Sequence, residues 1–172
     1  MTVVVPTAEQ LERDHPGLSL HVAGAVLEAL RVVLDRHHSS PTQFAVVDGS
    51  DRDSLEIEWV APTMRLHDVH ADASRATEWA AELVALLSVH QSRRLVVVRR
   101  APRGSRVDFY VGVPGDSFEN AVLLEIAGRD DVASLSALLA EKIDQARRNP
   151  DGLPALAAVV RFARPHVMIR DA

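Results

Sequence analysis

The sequence predicts an α/β (α+β) protein with a mixed, mainly antiparallel sheet of about five to six strands flanked by three to four helices. Three observations support this class. Apolar residues recur at spacings of three and four in Leu18–His37, the pattern of an amphipathic helix. They alternate with glutamates in Leu55–Val60, which indicates a strand with one wet face. Leu95–Val98 is apolar throughout, as expected for a strand covered on both faces.

Residues 1–71 are expected to form a helix and a hairpin at the flank of the protein. The predicted helix Leu18–His37 ends at a His-His-Ser-Ser-Pro segment. Phe44–Asp48 and Leu55–Val60 predict two strands about a turn of Gly, Ser and charged residues. Ala61–Ala71 is predicted to be a loop.

Residues 72–172 predict a core with the order helix, strand, strand, strand, helix, strand. Its expected elements are a helix from Asp72 or Ser74 to about His90, strands at Leu95–Val98, Val107–Val113 and Ala121–Ala127, a helix from Asp130 or Asp131 to about Arg148, and a strand at His166–Arg170. Leu153–Ala163 is compatible with either a helix or a strand. Because the sequence contains no internal repeat and no long linker, residues 1–172 are predicted to form a single domain.

The composition excludes several classes of protein. The chain has 172 residues, 47% hydrophobic and 25% charged, which is ordinary for a globular domain. No apolar run approaches the roughly 18 residues that a membrane crossing requires, and no secretory signal is recognisable, so a cytoplasmic location and no membrane partner are expected. The absence of cysteine excludes disulfides, thiolate nucleophiles and cysteine-ligated metals. The excess of arginine over lysine, with abundant alanine and valine, is typical of a GC-rich bacterial genome.

A strongly basic stretch interrupts an otherwise acidic chain of net charge −5. Six arginines and no acidic residue lie between positions 93 and 106. Charges beside an apolar strand can keep it from pairing with other chains, and we favour this interpretation because aromatic residues are absent from the stretch. The alternative is a contact with phosphate or with an acidic partner. The residues of that predicted contact are Arg99, Arg100, Arg103 and Arg106.

One group of ionisable residues suggests chemistry. Asp108 and Glu125 lie on consecutive predicted strands, where side chains of an antiparallel pair can share a face. Lys142, the only lysine of the chain, falls inside the apolar stripe of the helix that follows. A lysine directed at a sheet either extends along its stem to solvent or meets a carboxylate. Glu82, at the edge of the preceding helix's stripe, is a weaker fourth member.

The order of elements over about Ser74–Arg170, with Asp108 and Glu125 on the second and third core strands, distantly resembles the restriction-endonuclease-like PD-(D/E)xK nuclease fold. The resemblance implies that Asp108 and Glu125 hold magnesium and that a lysine assists the attacking water. Ala127 occupies the position where that family carries its lysine. Lys142 lies on the following helix, to which some members move theirs.

Other candidate sites have simpler explanations. His67, His70 and either Asp68 or Asp72 are chemically suitable metal ligands, but a solvated loop that ends in a helix cap is the better explanation, because a closed site needs about four ligands and no remote fourth is identifiable. His37 and His38 lie at a helix C-terminus and suit a capping role. A serine nucleophile has no support, because the sequence contains no G-x-S-x-G motif.

The leading hypothesis is an accessory protein with a nuclease-like core and no efficient catalysis. It would act by contacting another protein, or nucleic acid through the Arg93–Arg106 hairpin, and would need no cofactor. The alternative is a magnesium-dependent phosphodiesterase or nuclease in which Asp108 and Glu125 bind the metal, Lys142 stabilises charge at the phosphate and Glu82 assists.

Overall fold

The structure, a computed structural model, describes residues 2–102, 105, 107–149 and 152–172, with the backbone alone for residues 2 and 3. Within these residues the chain forms eight strands and five α-helices. The strands are β1 (Thr2–Val4), β2 (Thr42–Asp48), β3 (Asp51–Glu58), β4 (Val96–Arg100), β5 (Phe109–Gly112), β6 (Val122–Arg129), β7 (Ala155–Arg161) and β8 (His166–Asp171). The helices are α1 (Ala8–Asp14), α2 (Leu20–His37), α3 (Met64–Val69), α4 (Ala73–Arg93) and α5 (Leu135–Arg147), and a 3₁₀ turn spans Phe118–Asn120.

The eight strands belong to one mixed sheet in the order β1-β3-β2-β8-β7-β6-β5-β4. Over the described residues, four neighbouring pairs are antiparallel and three are parallel. The α/β class and the mixed sheet are therefore confirmed. The predicted counts of five to six strands and three to four helices are too low.

The additional elements are short ones. β1 has three residues and pairs in parallel with β3. α1 has seven residues and begins at a capping box, in which the Thr7 hydroxyl accepts from the Gln10 backbone and the Gln10 side chain accepts from the Thr7 backbone. α3 occupies part of the segment predicted to be a loop. A helix of seven residues or fewer, or a strand of three, contains too few residues for the periodicity of its apolar residues to be recognised in the sequence.

The strand bounds differ from the predicted ones by a few residues at several ends, and two helix boundaries also change. α4 begins after its cap Asp72 and continues three residues past His90 to Arg93, and Arg94 ends it in the left-handed conformation with φ 59°. The predicted start of α5 at Asp130 or Asp131 is wrong, because β6 continues to Arg129 and Ser134 caps the helix. The segment Leu153–Ala163, ambiguous in sequence, contains the buried strand β7.

Helices cover both faces of the sheet. α2 and α4 pack against each other on one face and enclose the main core. α5 packs on the other face, over β6, β7 and β8. Among the largest fully buried side chains are Phe44, Phe109, Phe162, Leu30, Leu34, Leu55, Ile57 and Leu83. No helix within the described ranges is both long and apolar enough to cross a lipid bilayer.

The N-terminal hairpin and the C-terminal elements share this sheet through a parallel β2–β8 pairing, in which Val46 lies opposite Val167. The outer edge of β4 is also covered by N-terminal residues. Val97 donates its backbone N–H to His15 Nδ1 at 3.1 Å and accepts from the Gly17 N–H at 2.9 Å. The edge strand is thereby protected from pairing with other chains.

Strands β5 and β6 differ in length, and this difference creates the candidate site. The hairpin register pairs Phe109 with Leu124, while β6 continues five residues further to Arg129. The end of β6 that extends beyond β5 still pairs with β7 on its other edge, and it lies so close to α4 that Gly128 has no room for a side chain. A Cβ there would lie 2.7 Å from Ala81 Cβ and 2.8 Å from the Thr77 carbonyl oxygen.

Candidate functional site

A cleft of about 270 Å³ opens where β5 ends beside β6, between α4 and α5. The four residues selected from sequence all line it. Its described lining residues are Glu78, Glu82, Asp108, Glu125, Ile126, Ala127, Gly128 and Lys142. Helix α4 supplies the two glutamates of one wall, the β5–β6 hairpin supplies the floor, and α5 supplies the lysine.

Asp108 directly precedes β5, which begins at Phe109. Its backbone N–H donates at 2.9 Å to the carbonyl of Leu124, which is the register partner of Phe109, so Asp108 lies beside β6 where the β5–β6 pairing stops. Its carboxylate Oδ2 accepts the backbone N–H of Ile126 at 2.7 Å. The side chain thus supplies an acceptor for a β6 donor that the shorter strand β5 does not reach.

Lys142 reaches inward from α5. Its Nζ donates to Glu125 Oε1 at 2.8 Å and to the side-chain Oε1 of Gln145 at 3.0 Å. The Glu125 side chain is only 4% exposed and that of Lys142 is 18% exposed. Leu124 and Ile126 face the main core, so Glu125 between them faces α5, where the lysine compensates its burial.

Glu82 occupies the opposite wall of the cleft. Its Oε1 lies 3.1 Å from Arg100 Nη2, and the Arg100 guanidinium also lies over the Phe109 ring. Glu82 is 8% exposed, and its second oxygen, Oε2, is buried without a hydrogen-bond partner among the described residues. A buried carboxylate oxygen without a donor is energetically unfavourable.

Burial and mutual repulsion shift the titration of all three central carboxyls. Burial raises the pKa of Glu82 to about 7, opposed by Arg100 and reinforced by Asp108 and Glu78. Burial, followed by the charge of Asp108, raises the pKa of Glu125 to about 7, opposed by Lys142. Burial also raises the pKa of Asp108, against its hydrogen bond from Ile126 and the nearby Lys142 and Arg100. Desolvation is thus the dominant cause at each carboxyl.

The predicted metal ligands, Asp108 and Glu125, form a small donor set. Each carboxylate already has one oxygen engaged, with the Ile126 N–H and the Lys142 ammonium respectively. In the part of the chain that the structure describes, no group of three or more His, Asp or Glu side chains is arranged to hold a metal ion. Magnesium prefers six oxygen ligands, so water or substrate would have to supply most of them here.

The histidines of the second candidate metal site separate into unrelated contacts. His67 Nε2 lies 3.3 Å from Asp35, and His70 Nε2 lies 3.3 Å from Glu28. Asp72 accepts from the Arg75 backbone as the cap of α4. The two histidines attach α3 and the segment after it to α2, and among the described residues they belong to no group of three or more potential metal ligands.

The two histidines at the end of α2 contact other elements. His37 Nε2 lies 2.6 Å from Asp130, and His38 Nε2 lies 2.6 Å from the Phe162 carbonyl oxygen. His38 is also the C-terminal cap of α2, through its backbone N–H to Leu34. The two side chains therefore join the helix end to segments that follow β6 and β7.

The arginine-rich stretch is not one charged hairpin. Arg93 belongs to α4 and binds Asp48 at 2.6 Å and Asp171 at 2.7 Å. Arg100 binds Glu82 in the cleft. Arg99 is exposed and lies over the rings of two aromatic residues, 5.9 Å from Tyr110 and 5.7 Å from Phe118. The other two predicted contact residues, Arg103 and Arg106, lie outside the described residues.

Sequence reasoning missed two contributors to this region. Phe118 follows β5 and packs with Tyr110 at 5.1 Å between ring centroids, which brings an aromatic pair to Arg99. Gln145, one turn after Lys142 on α5, supplies a second acceptor to the ammonium. The spacing of Lys142 and Gln145 was a usable signal, since residues three apart on a helix are neighbours. No sequence pattern indicates that Phe118 folds back onto Tyr110.

Comparisons with known proteins add no family to these observations. The chain matches no protein-family model, and no curated protein or solved structure is significantly similar to it. The resemblance to the nuclease fold therefore stays a prediction, and the proposals below depend on the geometry.

Proposed function

We propose that this chain is a cytoplasmic bacterial accessory protein that binds another protein and has no efficient catalytic activity. The observation that carries the proposal is the pairing of Lys142 with Glu125 inside the cleft. An ammonium that already has two acceptors has little freedom to assist an attacking water or to follow a phosphate during a reaction. A lysine buried against one carboxylate is more typical of a structural ion pair.

The surface we propose for the partner consists of the exposed Arg99 and Phe118, which pack on the buried ring of Tyr110; the three residues are here called the arginine–aromatic patch. Phe118 is 44% exposed, although its ring packs against that of Tyr110. Arginine and aromatic residues are enriched in protein interfaces, where they contribute much of the binding energy. The charge that the patch exposes is that of Arg99, so charge complementarity favours an acidic partner segment with an apolar side chain.

Comparative affinity capture tests the patch. Two single variants, Arg99→Glu and Phe118→Ala, should each lose the same partner that the unmodified protein retains. Arg75→Glu is the matched control, because Arg75 is also exposed and lies over a ring, 4.4 Å from Trp79, on another part of the surface. A partner retained by all three variants would remove the patch from consideration.

A magnesium-dependent phosphodiesterase is the second candidate. It is favoured by the position of Asp108, Glu125 and Lys142 in one cleft, with Glu82 on the facing wall. A bound magnesium ion would supply Lewis-acid stabilisation of a phosphoryl oxygen. Lys142 would balance charge at the phosphate, and Glu82, whose pKa burial raises to about 7, could hold or release a proton near neutrality.

Metal titration separates the two functions. Under the non-catalytic proposal, magnesium or manganese leaves the melting temperature unchanged, and phosphodiester substrates are not cleaved faster than by an Asp108→Asn variant. A metal-dependent rise in melting temperature that Asp108→Asn abolishes, together with cleavage, would establish the enzyme instead.

A further inference from the structure

A second cavity, of about 470 Å³, lies between α2, α3 and the segment that joins β3 to α3. None of its described lining residues belongs to the Lys142 cleft or to the arginine–aromatic patch, so neither proposed function uses it. Sites for small organic molecules have volumes of roughly 300–1,000 Å³. The space therefore suits one such molecule.

Arg31 brings an unpaired cation to this cavity. It lies on α2 and is half-buried, and its Nε atom is enclosed without a hydrogen-bond partner among the described residues. Its Nη1 and Nη2 atoms are not enclosed, and no acceptor in the described chain contacts them. Glu28, one turn earlier on the helix, lies 3.3 Å from His70 Nε2 instead. A guanidinium normally donates several hydrogen bonds, so both Nη groups are available to a ligand in the cavity.

Much of the remaining lining is apolar. Val60 is 75% exposed and Val69 is 65% exposed. Pro62 and Leu66, which also line the cavity, are half-buried. Ligand sites are typically lined by apolar side chains with a few polar groups that fix the orientation of the ligand. Here the apolar side chains offer a surface for an aliphatic group, and Arg31 is the orienting group.

The charged residues of the cavity favour a single negative charge on the ligand. Arg31 and Arg65 are positive and Glu28 is negative, so the described lining has an excess of one positive charge. Arg65 is exposed and makes no ion pair with any described residue. One carboxylate balances this excess and matches the planar fork of a guanidinium. A phosphate monoester, which is nearly doubly charged at neutral pH, would be repelled more strongly by Glu28.

We propose that this cavity binds a monocarboxylate with an aliphatic body. The carboxylate accepts hydrogen bonds from the Nη groups of Arg31, and Arg65 adds electrostatic attraction. The aliphatic body covers Val60 and Val69, and the removal of their surface from water stabilises the complex. The site goes beyond the proposed function and does not depend on the arginine–aromatic patch.

Titration with octanoate, followed by ¹H–¹⁵N NMR, tests the proposal. The backbone amides of the lining residues Ala61, Thr63, Leu66 and Val69 should shift in a saturable manner. Acetate has the carboxylate without the aliphatic body, and octylammonium has the body with the opposite charge. Each should bind at least tenfold more weakly than octanoate. Octyl phosphate should also bind more weakly than octanoate, because Glu28 lines the cavity.

Two variants link the shifts to the named residues. Arg31→Met keeps the aliphatic stem and should weaken octanoate binding by tenfold or more, the effect expected from losing charged hydrogen bonds. Its melting temperature without octanoate should be unchanged or higher, since the guanidinium has no partner within the described chain. Val69→Ser changes an exposed residue and should weaken octanoate binding severalfold. Arg147→Met removes an exposed arginine from α5, on the other face of the sheet, and should leave binding unchanged.

Three results would overturn the proposal. They are amide shifts no larger than those caused by sodium chloride at equal ionic strength, equal affinity of Arg31→Met and the unmodified protein for octanoate, and tighter binding of octylammonium or octyl phosphate than of octanoate. Loss of the partner of the arginine–aromatic patch leaves octanoate binding unaffected. Failure of the two proposals is therefore distinguishable.

Discussion

Asp108 Oδ2 accepts the backbone N–H of Ile126 at 2.7 Å, and this contact makes the aspartate part of the sheet as well as part of the cleft. β5 begins at Phe109 and its register with β6 stops at Leu124, so β5 itself offers no carbonyl for this donor. A residue selected from sequence for its carboxylate charge therefore has a structural role that must be separated from any chemical one.

We predict that Asp108→Ala lowers the free energy of unfolding by about 1–3 kcal/mol, because the Ile126 N–H loses its acceptor in a buried position. Asp108→Asn retains an amide oxygen and should cost clearly less. Urea unfolding of both variants measures the difference. Equal losses would show that the hydrogen bond contributes nothing, and the asparagine variant is accordingly the right one for metal and ligand experiments.

Lys142→Met should destabilise the protein at about pH 8 by about 3 kcal/mol, because it leaves the buried Glu125 carboxylate without its cation. At about pH 5 the loss should be much smaller. Burial raises the pKa of Glu125 to about 7, so the carboxyl is already neutral at about pH 5 and the substitution no longer leaves a buried negative charge without its cation.

Chemical denaturation at the two pH values tests this dependence, with Arg147→Met on the exposed side of α5 as the control for removing a cation. Adding Glu125→Gln to Lys142→Met should restore part of the stability at about pH 8. A cost that is the same at both pH values would mean that the pair is not an ionic one.

The parts of this site that were predictable from sequence depend on regular periodicity. Lys142 interrupts an apolar helical stripe, so its inward direction follows from about 100° per residue. Glu125 interrupts an apolar strand, and Asp108 alternates with Val107 and Phe109, so both positions follow from the two-residue period of a strand. Such patterns predict the face of a strand or helix on which a side chain lies. Here the faces of two adjacent chain segments and one helix that carry these residues meet at the cleft.

The remaining contacts depend on chain reversals that leave no periodic signal. Phe118 reaches Arg99 because the segment after β5 folds back, and His15 reaches Val97 because a turn follows α1. The predicted start of α5 is wrong for a related reason. Asp130 and Asp131 resemble a helix cap, but β6 continues to Arg129, and Asp131 closes a turn by accepting the Ala133 N–H.

His15 provides a prediction about acid stability. Its Nδ1 accepts the Val97 N–H, which requires a neutral ring, and burial together with His90 lowers its pKa to about 4, against the opposing charge of Asp14. The unfolded chain binds a proton near pH 6.5, so between about pH 6.5 and pH 4 it binds more protons than the folded chain. Acidification through this window therefore reduces the free energy of unfolding.

Substitution separates this contribution from those of the carboxyls. His15→Asn keeps an acceptor near Val97 and should be about 2 kcal/mol less sensitive than the unmodified protein to a change from about pH 7 to pH 5. His15→Leu leaves the N–H unsatisfied and should lose about 1–3 kcal/mol at pH 7. If urea unfolding gives parallel pH profiles for His15→Asn and the unmodified protein, the neutral-ring assignment is wrong.

Gly128 sets the distance between α4 and β6, and hence the width of the cleft. A methyl group at this position would lie 2.7 Å from Ala81 Cβ and 2.8 Å from the Thr77 carbonyl oxygen. Because a helix and a central strand cannot both yield at low cost, Gly128→Ala should reduce the free energy of unfolding by about 1–3 kcal/mol. It should also shift the amide resonances of the cleft, as the two walls move apart.

Gly24→Ala is the matched control for the same added methyl group. Gly24 lies inside α2, and an added Cβ would meet no atom within 4 Å. There the substitution should stabilise the protein by about 0.5–1 kcal/mol, since alanine is the better helix former. Opposite signs for the two substitutions in urea unfolding would confirm the close packing at Gly128, whereas a stabilising Gly128→Ala would show that α4 and β6 can separate freely.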